Sequence, residues 1–140
     1  MELAALGFWI ATAMGGLYML GVTLRPGNSE SAATESHLPP LLVFGHGSLA
    51  LMGLALWAVH MVVDEPWTAW LTVATLVLVL GGGTMMFLIW MKDRHGGNPE
   101  TVDGQPRLAE QQIPSPVVHL HGALAAVTVV FVVLVAFQTL

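Results

Sequence analysis

The sequence predicts an all-α protein, a four-helix transmembrane bundle built from two tandem helical hairpins. Three observations carry that expectation. The 140 residues are 55% hydrophobic and only 9% charged, against about 25% charged in ordinary soluble domains. The mean hydropathy is +0.73. The apolar residues fall into four runs, each long enough to cross a hydrocarbon core of about 30 Å. One integral-membrane domain over 1–140 accommodates them all.

The helices are expected at about 3–24, 40–63, 67–91 and 116–138, with polar loops at 25–38 and 92–113. The first run follows Met1-Glu2, which offers no basic leader, and it stays apolar to Leu24, so it reads as a span rather than a cleaved signal. Arg25-Pro26-Gly27-Asn28 stops it. Gly15, Gly16 and Gly21 occupy its second half, where small residues let helices approach closely. A solvated loop containing His37 follows. The second run opens at Pro39-Pro40, since proline is tolerated in a first helical turn. Asp64-Glu65-Pro66 is so short that helices 2 and 3 must be antiparallel neighbours. Trp67 and Trp70 at one end of helix 3, and Trp90 at the other, suit interfacial aromatic belts. Helix 3 carries Gly81-Gly82-Gly83, and the long loop after it contains a candidate short helix around Leu108-Ala109-Glu110. Helix 4 is almost purely Ala, Val, Leu and Phe apart from His119, His121 and Thr128.

Composition closes several routes. Without cysteine there is no disulfide, thiolate metal site, iron–sulfur cluster or covalent haem attachment. The formal charge of −5 argues against a nucleic-acid partner. No dinucleotide fingerprint, nucleophile–base triad or paired intramembrane carboxylate is present, so an electron-transfer or accessory subunit is expected before a self-contained enzyme. All four basic residues (Arg25, Lys92, Arg94 and Arg107) lie in the two long connections. The positive-inside tendency then puts loops 25–38 and 92–113 in the cytoplasm and both termini outside, with a bacterial inner membrane as the expected location.

Two stretches resemble one another. At an offset of 75, Pro39 falls on Pro114, His46 on His121, Gly47 on Gly122, Leu49 on Leu124 and Ala50 on Ala125. At an offset of 67, Gly15-Gly16 fall on Gly82-Gly83 and Met19 on Met86. A copied hairpin with an even number of spans is a parallel repeat about an axis along the membrane normal. Helices 2 and 4 would then run the same way, with His46 and His121 level.

Intramembrane histidines are functional-site candidates, because the ring nitrogens need partners in hydrocarbon. A single one could be satisfied by a loop carbonyl or interfacial water, and glycines alone read as helix packing. A level pair of neutral imidazoles near helix N-termini, facing Gly15, Gly16, Gly82 and Gly83, suits the two axial ligands of a haem iron with room for a porphyrin. His119, two residues from His121 and about 200° round the helix, is the alternative ligand. His46 and His60 are fourteen residues apart on one face of helix 2, about 21 Å along its axis.

In this pattern the chain resembles the four-helix membrane b-type cytochromes, whose bundles hold haem b through paired histidines. In two-haem members each ligating helix carries two histidines about fourteen positions apart. Helix 2 shows that spacing, but the position fourteen after His121 is Val135. The resemblance implies one haem b, bis-His ligation and electron transfer, alone or within a respiratory or reductase complex, with a quinone as a further partner. His60 is left with three readings: a hydrogen bond near Asp64, a ligand of a second haem, or part of a quinone site.

Two other functions fit the residues. Copper transport or delivery could use His37, His46, His119 and His121 with Met14, Met19, Met52, Met61, Met85 and Met86. A structural or assembly subunit would use its histidines only to bond between helices. Membrane lipid is the common partner of all three, and homo-oligomerisation stays open.

Overall fold

A computed structural model describes residues 1–24, 36–95, 101–102, 105–106 and 108–140. Four long helices make up the fold: α1 (Glu2–Thr23), α2 (Pro40–Val63), α3 (Pro66–His95) and α4 (Ser115–Gln138). All four are long and apolar enough to cross a membrane. Their outward faces carry residues such as Leu3, Leu17, Leu41, Val62, Leu88 and Leu120, each more than half exposed in the isolated chain and therefore suited to lipid.

Sequence and structure agree closely at the helix ends. Pro40 sits in the first turn of α2, and Ser115-Pro116 opens α4, where a missing amide proton costs nothing. α3 starts at Pro66 and continues four residues past the expected Met91. The last residue before the α2–α3 turn, Asp64, adopts the left-handed conformation (φ 53°), and its backbone N–H donates to the His60 carbonyl at 2.8 Å. That closes the helix and reverses the chain within two residues. In the long connection the candidate short helix is a 3-10 turn, η1 (Ala109–Gln112). It is preceded by a two-residue antiparallel ladder, β1 (Thr101–Val102) with β2 (Gln105–Pro106). Arg25 and Arg107 lie outside the described residues.

The helices form a ring in chain order. α2 packs along α3 and α1 along α4; α1 meets α2 and α3 meets α4 more lightly. α1 and α3 occupy one diagonal, α2 and α4 the other. The close pairs are therefore not the two hairpins in which the sequence suggested organising the bundle. The short Asp64-Glu65 connection holds α2 on α3, and closure of the ring brings α1 onto α4.

The two ends of the bundle differ. The terminal end, which holds Met1, the Asp64 turn and Leu140, has a packed apolar core of Ala5, Trp9, Trp57, Leu76, Val132 and Val135. Trp57 is fully buried there, and its indole N–H donates to the Glu2 carbonyl at 3.4 Å. Thr68, Thr72 and Thr75 line the same interior, each hydroxyl returning its proton to a carbonyl three or four residues earlier. The loop end is covered by η1, whose Ala109 and Glu110 are buried together with Ile113. There the His37 backbone N–H donates to Glu110 Oε1 at 2.8 Å, and its ring Nδ1 lies 3.0 Å from Asp93 Oδ1.

Candidate functional site

Between the packed terminal end and the covered loop end lies a layer of different character. None of residues 10–21, 41–52, 77–89 and 114–127 is buried. At this level every residue of the four helix segments is at least partly accessible, in contrast to the packed terminal end. His46 and His121 sit in this layer.

His46 leans from α2 onto α3. Its Nδ1 lies 2.9 Å from the Val79 carbonyl, and its ring lies against Gly82 and Gly83. His121 leans from α4 onto α1. Its Nδ1 lies 2.9 Å from the Thr12 carbonyl, and its ring lies against Gly15 and Gly16. Val79 stands to Thr12, Gly82 to Gly15 and Gly83 to Gly16 at the same offset of 67. The two halves thus make the same contacts.

The glycines act locally. A helical side chain covers the turn N-terminal to its own Cα. Glycine at 15 and 16 therefore uncovers the turn around Thr12, and glycine at 82 and 83 the turn around Val79. The exposed carbonyls can each accept a second hydrogen bond, from an imidazole. A Cβ at Gly83 would come within 3.1 Å of His46 Cε1, and one at Gly16 within 3.3 Å of His121 Cε1. Where the sequence suggested these glycines as lining for a flat macrocycle, the structure shows a nearer role: they seat the two imidazole rings.

A carbonyl can only accept, so Nδ1 carries the proton in both rings, which leaves the Nε2 lone pair free. The ring centres are 6.4 Å apart and the planes inclined by 62°. A metal between two imidazoles, with bonds of about 2.0–2.1 Å on each side as in zinc–histidine sites, places the ring centres roughly 6–6.5 Å apart. Backbone carbonyls are among the outer partners that fix ring orientation in metal-binding histidines.

The remaining histidines stand elsewhere. His119 is exposed, bonds through Nδ1 to the Ser115 carbonyl of its own helix at 2.8 Å, and meets Phe87 and Trp90 edge-on. It does not face His46. His60 is buried at the terminal end, with Nδ1 2.9 Å from Thr68 Oγ1 and its ring 5.1 Å from that of Trp57. The partner expected near Asp64 is therefore Thr68. Val135, where a second haem would need a histidine, is buried in the apolar core. Met14, Met52 and Met85 point outward, so the methionines do not converge as one copper site.

The sequence reading did not identify Thr12, Val79 and Thr68. The first two act through the backbone, but glycine three and four residues further on marks both. Thr68 is marked by the Thr68-Thr72-Thr75 stripe on one face of α3. No protein-family model, curated protein or solved structure matches the chain.

Proposed function

We propose that this is a membrane haem b protein in which His46 and His121 are the axial ligands of one iron and which passes electrons, alone or within a larger redox complex. The observation that carries the reading is the matched pair of imidazoles. Each is held by a carbonyl on Nδ1, and the 6.4 Å between their centres is compatible with a metal shared by the two rings. The glycines beside both rings, which keep side-chain bulk low at this level, favour haem over a bare ion, because a macrocycle needs lateral room and an ion does not. When bound, the haem supplies one-electron chemistry; the chain supplies two neutral imidazoles, fixes their tautomers and keeps the site inside hydrocarbon.

Copper is the second reading. Met19 and Met86 follow Gly16 and Gly83 by three residues, on the same helical faces, and would add sulfur ligands of the soft type that copper(I) prefers.

The equal contacts of the two halves support a duplicated hairpin as the origin of the bundle. The clustering of Lys92 and Arg94 at the loop end, with Arg25 and Arg107 in the same connections, supports a cytoplasmic loop end in a bacterial inner membrane. Electrons would then be exchanged with a quinone in the bilayer or with a neighbouring subunit.

The test is a reduced-minus-oxidised absorption spectrum of detergent-purified protein, with metal analysis of the same sample. One haem b per chain is expected, lost in His46→Ala and in His121→Ala and retained in His119→Ala. A colourless protein from haem-sufficient cells overturns the reading, and copper in that sample replaces it with the second one.

A further inference from the structure

The opposite end of α2 holds a second arrangement of ligating atoms, independent of the haem reading. His60 is 1% exposed. The single hydroxyl proton of Thr68 goes to the Glu65 carbonyl at 2.6 Å, so Thr68 Oγ1 accepts from His60 Nδ1–H. The proton therefore sits on Nδ1, and Nε2 carries a lone pair. Nε2 is buried and has no hydrogen-bond partner. A buried acceptor without a donor is unfavourable and uncommon in native structures.

Two carboxylates stand beside this ring. A ring nitrogen of His60 and carboxylate oxygens of Glu2 and Asp64 all lie within 4.8 Å of one another. All three groups offer lone pairs, and the described basic side chains, Lys92 and Arg94, lie in the last turn of α3 at the other end of the bundle. Apart from the amino terminus, no cationic group among the described residues serves this cluster. The backbone is also committed to it. Asp64 is held in place as the left-handed cap that closes α2, and the Trp57 indole ties the Glu2 backbone to α2.

We propose that Glu2, His60 and Asp64 form a binding site for a divalent first-row metal ion of the zinc type, at the membrane surface of the terminal end. One imidazole and two carboxylates without sulfur suit a borderline ion and not copper(I). Three protein ligands leave a fourth position open to water. Thr68 orients the imidazole in the way that outer partners orient metal-bound histidines. Bound metal joins the start of α1 to the end of α2, the more lightly packed of the contacts at this corner.

Zinc chloride titrated calorimetrically into chelator-stripped, detergent-solubilised full-length protein tests the site. Saturable binding of one zinc per chain is expected, with a rise in thermal midpoint. Glu2→Gln and Asp64→Asn should each weaken binding by about tenfold or more, a loss of the size seen when even an outer partner of a metal ligand is removed. Asparagine is at ease in the left-handed conformation, so Asp64→Asn keeps the turn while removing a charged ligand. His46→Ala and His121→Ala should bind zinc at this site as the parent does, whatever their haem content. Absence of saturable binding in the parent, or undiminished binding in the Glu2→Gln/Asp64→Asn double variant, overturns the proposal.

Discussion

His46 and His60 stand on the same helix, fourteen residues apart and on nearly the same face, yet their surroundings are opposite. His46 is half-buried in a layer without any buried residue, bonded to a carbonyl and turned toward a second histidine across the bundle. His60 is buried against Trp57 and bonded to a threonine, in the half that holds the apolar core. Spacing along a helix therefore places two residues on a face but does not say what the face meets. That depends on the opposing helices. Glycines 15, 16, 82 and 83 face the first histidine pair; Trp9, Leu76, Val132 and Val135 fill the second level. One half of the bundle is filled by a packed core, and the other holds two imidazole rings against glycines.

Breaking the packed half should have the largest effect. Trp57 is fully buried between α1, α2 and the rest of the terminal core. Trp57→Ala should cost about 3–5 kcal/mol, the usual range for deleting a buried aromatic. Thermal unfolding in detergent would register this as a marked drop in midpoint. A neutral result would mean that this end is not the stabilising half. A smaller effect is expected for Val135→His, which restores the fourteen-residue spacing on α4. Val135 is buried, so the imidazole must enter an apolar core at a cost of about 1–3 kcal/mol for an unsatisfied polar group. If the chain binds one haem as proposed, haem per chain, measured by pyridine haemochrome, should stay at one. A second haem in this variant would show that the terminal half can open, and would erase the distinction between the two levels.

Much of this was legible before any coordinates. The four helices, the proline starts and the Asp64 turn follow from residue chemistry that acts locally. The pairing of His46 with His121 was legible because two offsets, 75 and 67, agree in placing histidines and glycines together. The roles of Thr12 and Val79 were not, since a backbone carbonyl has no identity in the sequence; only the glycines that uncover it do. For His60 the sequence leaves three readings, one of them a hydrogen bond near Asp64. Asp64 does stand beside the ring, but the hydrogen bond runs to Thr68 on the next helix, which distance along the chain does not reveal. The tight α1–α4 pairing was hidden for the same reason: nothing local links the first helix to the last, and only closure of the ring brings them together.

The finest contrast comes from placing one methyl group in each half. At Gly53 an added Cβ would lie 2.9 Å from Trp9 Cζ2, inside the packed core. Gly53→Ala should therefore destabilise by about 1–3 kcal/mol, as overpacking does, with the haem spectrum unchanged. At Gly83 the Cβ would lie 3.1 Å from His46 Cε1, outside the packed core, so the ring must give way slightly. Gly83→Ala should leave the thermal midpoint of the haem-free protein nearly unaltered while lowering haem occupancy, because the imidazole is pushed off the line toward His121 and away from the Val79 carbonyl. Gly82→Ala is the control within the control. Its Cβ would meet His46 Nδ1 at 3.6 Å, an ordinary contact, so its haem occupancy should stay near the parent's. If Gly82→Ala and Gly83→Ala lose haem equally, the glycines serve helix approach in general. If only Gly83→Ala does, they are there to seat the histidine ring.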